Sequence, residues 1–161
     1  MAGIAGAAKE TARFEEYLDR AAEEVFGTMM GVSCKPLEDG AAGERESIAA
    51  VIGLAGAMSG SLVLHSGSMA AMRMAERLAG VVPEGVDAMV RDAFGEVCNM
   101  LAGAWKGFDP VLSSGCLLST PTIVAGSSYE LFSERAPLRI ERSYRFEELT
   151  FSMTVFFELA S

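Results

Sequence analysis

The strongest constraint on the fold lies at the C-terminal end of the chain. Through Leu149, Phe151, Met153, Val155, Phe157 and Leu159 every second residue is apolar, while Thr150, Ser152, Thr154 and Glu158 alternate with them. A period of two belongs to a strand with one buried face, not to a helix. Ahead of it, Leu138, Ile140 and Tyr144 alternate with Arg139, Glu141, Ser143 and Arg145, and Glu147-Glu148 separates the two runs. This is an antiparallel hairpin with an apolar face that something else must cover.

The rest of the chain supplies the cover. Residues 8 to about 30 read as an amphipathic helix, with Phe14, Leu18, Val25 and Met29 at helical spacing and Glu10, Glu15, Glu16, Asp19, Glu23 and Glu24 around them. A charged, glycine-containing loop from Lys35 to Glu46 follows, and IAAVIGLAG with GSLVLHS reads as a second hairpin. Ser68 is placed to cap a short helix, MAAMRMAERLA, that Gly80 ends. Pro83 to Lys106 reads as a second long helix, closed by Gly107 and Asp109-Pro110. CLLSTPTIVAG forms one or two short strands, with Pro121 at a start, edge or bulge.

The expected fold is therefore α+β: an antiparallel or mixed sheet with two long helices packed on one face. One domain spans residues 1–161, and residues 1–9 are expected to be a flexible N-terminus. An internal repeat is visible as well. Glu24-Val25-Phe26-Gly27-Thr28-Met29-Met30-Gly31 in the first long helix resembles Glu96-Val97-Cys98-Asn99-Met100-Leu101-Ala102-Gly103 in the second. It makes the two helices pseudo-symmetric, but Gly27 stands where the second copy has Asn99.

Much chemistry is excluded early. Among 161 residues, 22 acidic side chains face 13 basic ones for a net charge of -9, and no basic cluster suits a nucleic-acid backbone. Cys34, Cys98 and Cys116 are too widely spaced for a disulfide framework or a zinc ribbon. His65 is the only imidazole, which removes any multi-histidine metal site, and its strand-like sequence favours a structural or surface role. No phosphate-cradling glycine loop is present. Ser47 to Met72 carries no charge, yet its glycines and serines divide it into short pieces unsuited to a spanning helix. MAGIAGAAKE lacks the features of a secretory leader, so a cytoplasmic location without membrane attachment is expected. The ten methionines read as core filler.

The second long helix carries the candidate chemistry. Projected at about 100° per residue, Val86, Met89, Val90, Ala93, Val97, Met100, Leu101 and Ala104 gather on one side, and this side is expected to face the sheet. Asp92, Glu96 and Asn99 fall together on the opposite side, with Gly103 one turn on and Gly95 beside them. Each interior glycine costs a helix roughly 1 kcal/mol relative to alanine. Close approach of another surface is a physical reason to keep them. By periodicity alone, the triplet remains a solvated face like any other.

The spacing goes further. Asp92-Ala-Phe-Gly-Glu96-Val-Cys-Asn99, then 21 residues, then Pro121 within STPTIVAG resembles the signature of the CheX/CheC/FliY-type phosphatases. GEVCNMLAGAWK, IAAVIGLAGAMSGSLVL and FEEYLDRAAEEVFGTMMG resemble that family's motif helix, hairpin and first helix, and the likeness spans residues 10 to 159. A single intact motif favours the CheX-like branch. The resemblance implies hydrolysis of the phosphoaspartate of a CheY-like response regulator in chemotaxis or related two-component signalling. Glu96 would pair with the receiver's lysine, Asn99 would orient the attacking water, and Asp92 and Pro121 would support the site. Gly95 and Gly103 would let the partner approach the helix backbone. No metal ligand or cofactor is expected in this chain, because the Mg²⁺ of the reaction belongs to the receiver. The alternative is a receiver-binding adaptor that does not hydrolyse. The resemblance also implies a homodimer formed through the sheets, with SMTVFFELA as the candidate edge and Phe156 at the contact.

Overall fold

A computed structural model describes residues 4–38, 47–126 and 138–161. In chain order the elements are helix α1 (Ile4–Val25), a π-helical turn (Phe26–Met30), strand β1 (Cys34–Leu37), the hairpin β2 (Ser47–Gly56) and β3 (Met58–Gly67), and helix α2 (Ser68–Ala79). Helix α3 (Ala88–Gly107), the short α4 (Pro110–Gly115), strands β4 (Cys116–Leu118) and β5 (Thr122–Gly126), and the hairpin β6 (Leu138–Phe146) and β7 (Leu149–Leu159) complete it. The fold is α+β, as the alternation requires. The Lys35 to Glu46 loop lies mostly outside the described residues.

The strands form one antiparallel sheet in the order β1-β6-β7-β3-β2-β4, with β5 also paired to β2. This order reads the same in reverse when β1 is exchanged for β4/β5, β6 for β2 and β7 for β3. Each half thus contributes a long helix, an edge strand and a hairpin, and each edge strand pairs with the other half's hairpin. The topology bears out the internal repeat. It also corrects the expected edge: β7 lies between β6 and β3, so its backbone groups are already paired and offer no dimerisation edge.

Both long helices cover one face. Ile48, Ile52, Leu62, Leu64, Ile140, Phe151, Met153, Val155 and Phe157 from the strands join Phe14, Leu18, Val25, Val97, Leu101 and Trp105 from the helices in one buried cluster. Phe14 meets Trp105 at 5.7 Å and the Phe157 ring edge-on at 5.4 Å, and the Trp105 Nε1 donates to the Phe14 carbonyl at 3.1 Å. Each such aromatic contributes roughly 2–3 kcal/mol by burial, and the indole donor is satisfied. Phe156 points the other way, into a small cluster with Ala49 and Val63.

Several local expectations shift. α1 is helical from Ile4, ahead of the expected start. Its last turn widens into the π-helical segment, where Gly31 and Val32 donate to the Phe26 carbonyl. One residue more per turn rotates the chain. Met29, expected in the core, is therefore half exposed at 51%, while Phe26 and Met30 are buried. α2 has Gly67 at its N-cap without a side-chain bond, and Ser68 is already helical. At its other end Gly80 adopts φ +72° and donates to Glu76, as read from the sequence.

Ion pairs fasten the helices to the last hairpin. Asp19 on α1 accepts from Arg142 Nε at 3.1 Å, Arg142 Nη2 at 2.8 Å and the Tyr144 hydroxyl at 2.8 Å. At the hairpin tip Glu147 (φ 53°) receives Arg73 at 2.8 Å and Arg77 at 2.6 Å from α2. The Arg73 hydrogen bond, aided by Arg77, holds the Glu147 carboxyl below its ordinary value of 4.5.

A lowered folded-state pKa means that the Glu147 pairing is present at neutral pH and is withdrawn as the pH falls through that value. Glu147→Gln should therefore lower Tm at pH 7 by an amount worth on the order of 1 kcal/mol. The gap should narrow on acidification below 4.5, measured by thermal melts across pH. Gly60, at φ +149°, sits where an added Cβ would lie 1.9 Å from the Phe156 carbonyl oxygen. Gly60→Ala should cost more than about 3 kcal/mol in urea denaturation, since backbone must move.

Candidate functional site

The site is built on α3. Its start is set by Asp87, whose Oδ1 accepts from the Val90 N–H at 2.9 Å, so Pro83 to Val86, expected in the helix, lie ahead of it. Val90, Phe94, Val97, Cys98, Leu101, Ala102 and Trp105 are buried. Val86, Met89, Ala93, Met100 and Ala104, expected beneath the helix, are only partly covered. The buried arc is turned toward Phe94, Cys98 and Trp105 because β2 lies under that side, where the Cys98 thiol faces the Ala50 carbonyl at 3.6 Å.

This rotation leaves Asp92 and Glu96 exposed and Asn99 half-buried on the outer face. None of the three has a hydrogen-bond or ion-pair partner among the described residues. Glu96 and Asn99 are three residues apart, which brings their side chains together on one helix face. Gly103 lies one turn beyond, exposed, with nothing within 4 Å of a Cβ built on it.

Gly95 is different, and corrects the expectation that it meets a partner. It is buried, and a Cβ there would lie 3.3 Å from Pro121 Cγ and 3.4 Å from Ile123 Cδ1. The close approach that the glycine permits is made by this chain's own Pro121 and by Ile123 of β5. Pro121 sits in the break between β4 and β5, both paired to β2. Ser119, two residues before it, donates its N–H to the Gly53 carbonyl at 3.0 Å and accepts the Gly53 N–H on Oγ at 2.8 Å. Sequence reasoning missed Gly53, Ser119 and Ile123, because nothing local marks a contact across the sheet.

The remaining candidates for chemistry are elsewhere or inert. His65 is on the face of β3 opposite Leu64, away from α3, and burial lowers its pKa. Burial pushes the Cys34 and Cys98 thiols up to about 12 and also raises Cys116. A thiol, not a thiolate, is then the resident form. No cluster of three or more His, Cys, Asp or Glu suited to a metal exists among the described residues. Nor is any helix among them long and apolar enough to cross a membrane.

A seven-stranded antiparallel sheet with α1 and α3 on one face is the fold of solved CheX and CheC-like structures to which this chain is similar. The family model described as "Chemotaxis phosphatase CheX" matches residues 48–141, and the chain belongs to this CheX family. Chemotaxis protein CheX from Vibrio vulnificus is 22% identical, with a TM-score of 0.78 over 92% of this chain and 98% of that one. A CheX protein from Desulfovibrio desulfuricans is 19% identical, with a TM-score of 0.75 over 90% and 99%. CheX in a CheX–CheY–BeF3–Mg²⁺ complex from Borrelia burgdorferi is 18% identical, with a TM-score of 0.69 over 89% and 97%. A search of curated protein sequences found no significant match.

Thiol chemistry is directly testable. An aromatic disulfide reagent at pH 8 should modify none of the three cysteines in the native protein on the timescale of minutes, and all three after denaturation in guanidinium.

Proposed function

We propose that the outer face of α3 docks on the receiver domain of a CheY-like response regulator and accelerates hydrolysis of its phosphoaspartate. The observation that carries the reading is the pair Glu96 and Asn99, side by side, facing solvent, with neither committed to a partner within the described chain. Membership of the CheX family supports it, as does the relative that binds CheY together with BeF3 and Mg²⁺.

The residue types suit the task. Phosphoryl transfer asks a protein for positioning and charge compensation more than for covalent participation. Glu96 has no partner among the described residues and no basic neighbour on its stripe, and it pairs with the lysine of the receiver's acidic pocket. That ion pair draws the lysine from the phosphoryl group and sets the helix in register. Asn99 accepts one hydrogen bond from a water and donates another, which holds the water in line with phosphorus. An amide is no base at neutral pH, so its contribution is orientation, as for the glutamine of GTPases. Asp92, one turn before Glu96, shapes the rim, and Pro121 supports it from the side. The Mg²⁺ is held by the receiver. Gly103 leaves the far end of the stripe open to the partner.

Release of inorganic phosphate from a phosphorylated receiver with Mg²⁺ should speed up when this protein is added. Asn99→Ala should leave receiver binding intact and reduce the acceleration about a hundredfold, equivalent to ~3 kcal/mol. Glu96→Ala should weaken binding and rate together. Tight binding with an unchanged phosphoryl lifetime would instead make the protein an adaptor, and equal turnover by wild type and Asn99→Ala would remove the proposed mechanism.

A further inference from the structure

The phosphatase face is not made by α3 alone. The segment from Ser119 to Thr122 is fastened at both ends to β2, by the two Ser119–Gly53 hydrogen bonds and by the pairing of Thr122 with Val51. β2 in turn lies beneath α3 at the Ala50–Cys98 contact. Pro121, whose backbone is restricted by its own ring, is thereby held against α3 at Gly95. Gly95 immediately precedes Glu96 and stands one turn before Asn99.

The geometry points to Gly95 and Ser119 as positioning residues of the phosphatase site, acting through the Pro121 ring. This inference rests on the reading given above and adds to it the device that sets the helix. A methyl group at Gly95 would sit 3.3 Å from Pro121 Cγ, tighter than ordinary contact, with Ile123 Cδ1 at 3.4 Å on its other side. Neither the ring nor its anchored backbone turns aside, so α3 or the bridge must shift by a few tenths of an ångström. A shift in α3 reaches Glu96 at the next residue and Asn99 one turn on. Docking tolerates such a movement because a lysine–carboxylate pair is flexible. An in-line water does not: misplacement by about 1 Å costs roughly a hundredfold in rate.

The test is steady-state phosphate release from a phosphorylated receiver with Mg²⁺, read as kcat and KM separately. Gly95→Ala should lower kcat by roughly three- to tenfold and leave KM within about twofold. Pro121→Ala should lower kcat to a similar extent. The double variant should be no worse than the poorer single one, because the methyl then has no ring to meet. Ser119→Ala should lower kcat, and Ser119→Thr, which keeps the hydroxyl, should restore it.

Wild-type kcat in Gly95→Ala, or effects that multiply in the double variant, would overturn the positioning role while leaving the phosphatase reading intact. If Gly95→Ala fails to fold, the Ser119 pair decides: equal kcat in Ser119→Ala and wild type overturns the role. A wild-type protein that does not shorten the phosphoryl lifetime would instead remove the underlying reading.

Discussion

The indole of Trp105 governs the arrangement on which everything else depends. It packs its buried ring against Phe14 of α1 and donates to the Phe14 carbonyl, so α3 cannot turn about its own axis without losing both contacts. Trp105 follows Glu96 by nine residues, which places the two about 180° apart around the helix. Fixing one therefore aims the other. The carboxylate and the amide face solvent because the opposite side of their helix is held by the largest buried side chain in the molecule.

How much of this could be read from the chain differs by scale. The terminal hairpin was legible because a period of two leaves no alternative when one face is apolar, and Gly80 ended α2 for the same local reason. The interiors of α1 and α3 followed from spacing. Their ends did not. Pro83 suits the first turn of a helix as well as a loop, and only the Asp87 bond to Val90 shows where α3 begins. The π-helical turn that exposes Met29 has no signature in residue types. Whether a strand is an edge depends on what pairs with it, so the long apolar β7 invited an assignment that its two neighbours rule out. At the site, the Asp92, Glu96 and Asn99 stripe was visible as periodicity. The role of Gly95 was not, because its neighbour Pro121 arrives from the break between two strands, 26 residues along the chain.

The reversible strand order gives the asymmetry of the two long helices a physical setting. Both lie on the same face and each leads to an edge strand, yet they expose different chemistry. Around Glu24 on α1, Arg20 stacks over the Phe108 ring at 4.1 Å, and Asp19 is committed to Arg142 and Tyr144. Gly27 offers no side chain at all. Asp19 and Arg20 of α1 are thus spent on holding the sheet and α3 together, while Asp92, Glu96 and Asn99 of α3 have no partner among the described residues. One copy serves as scaffold for the other.

The exchanged edge strands carry a further consequence. β1 follows α1 but hydrogen-bonds to β6, and β4 and β5 follow α3 but hydrogen-bond to β2. Severed between α2 and α3, the molecule would yield two fragments, each with a hairpin lacking its outer neighbour and an outer strand lacking its hairpin. Neither piece could satisfy its own backbone, whereas the two mixed together would complement one another. The architecture is therefore bipartite in topology and indivisible in folding, a property suited to reassembly from co-expressed halves.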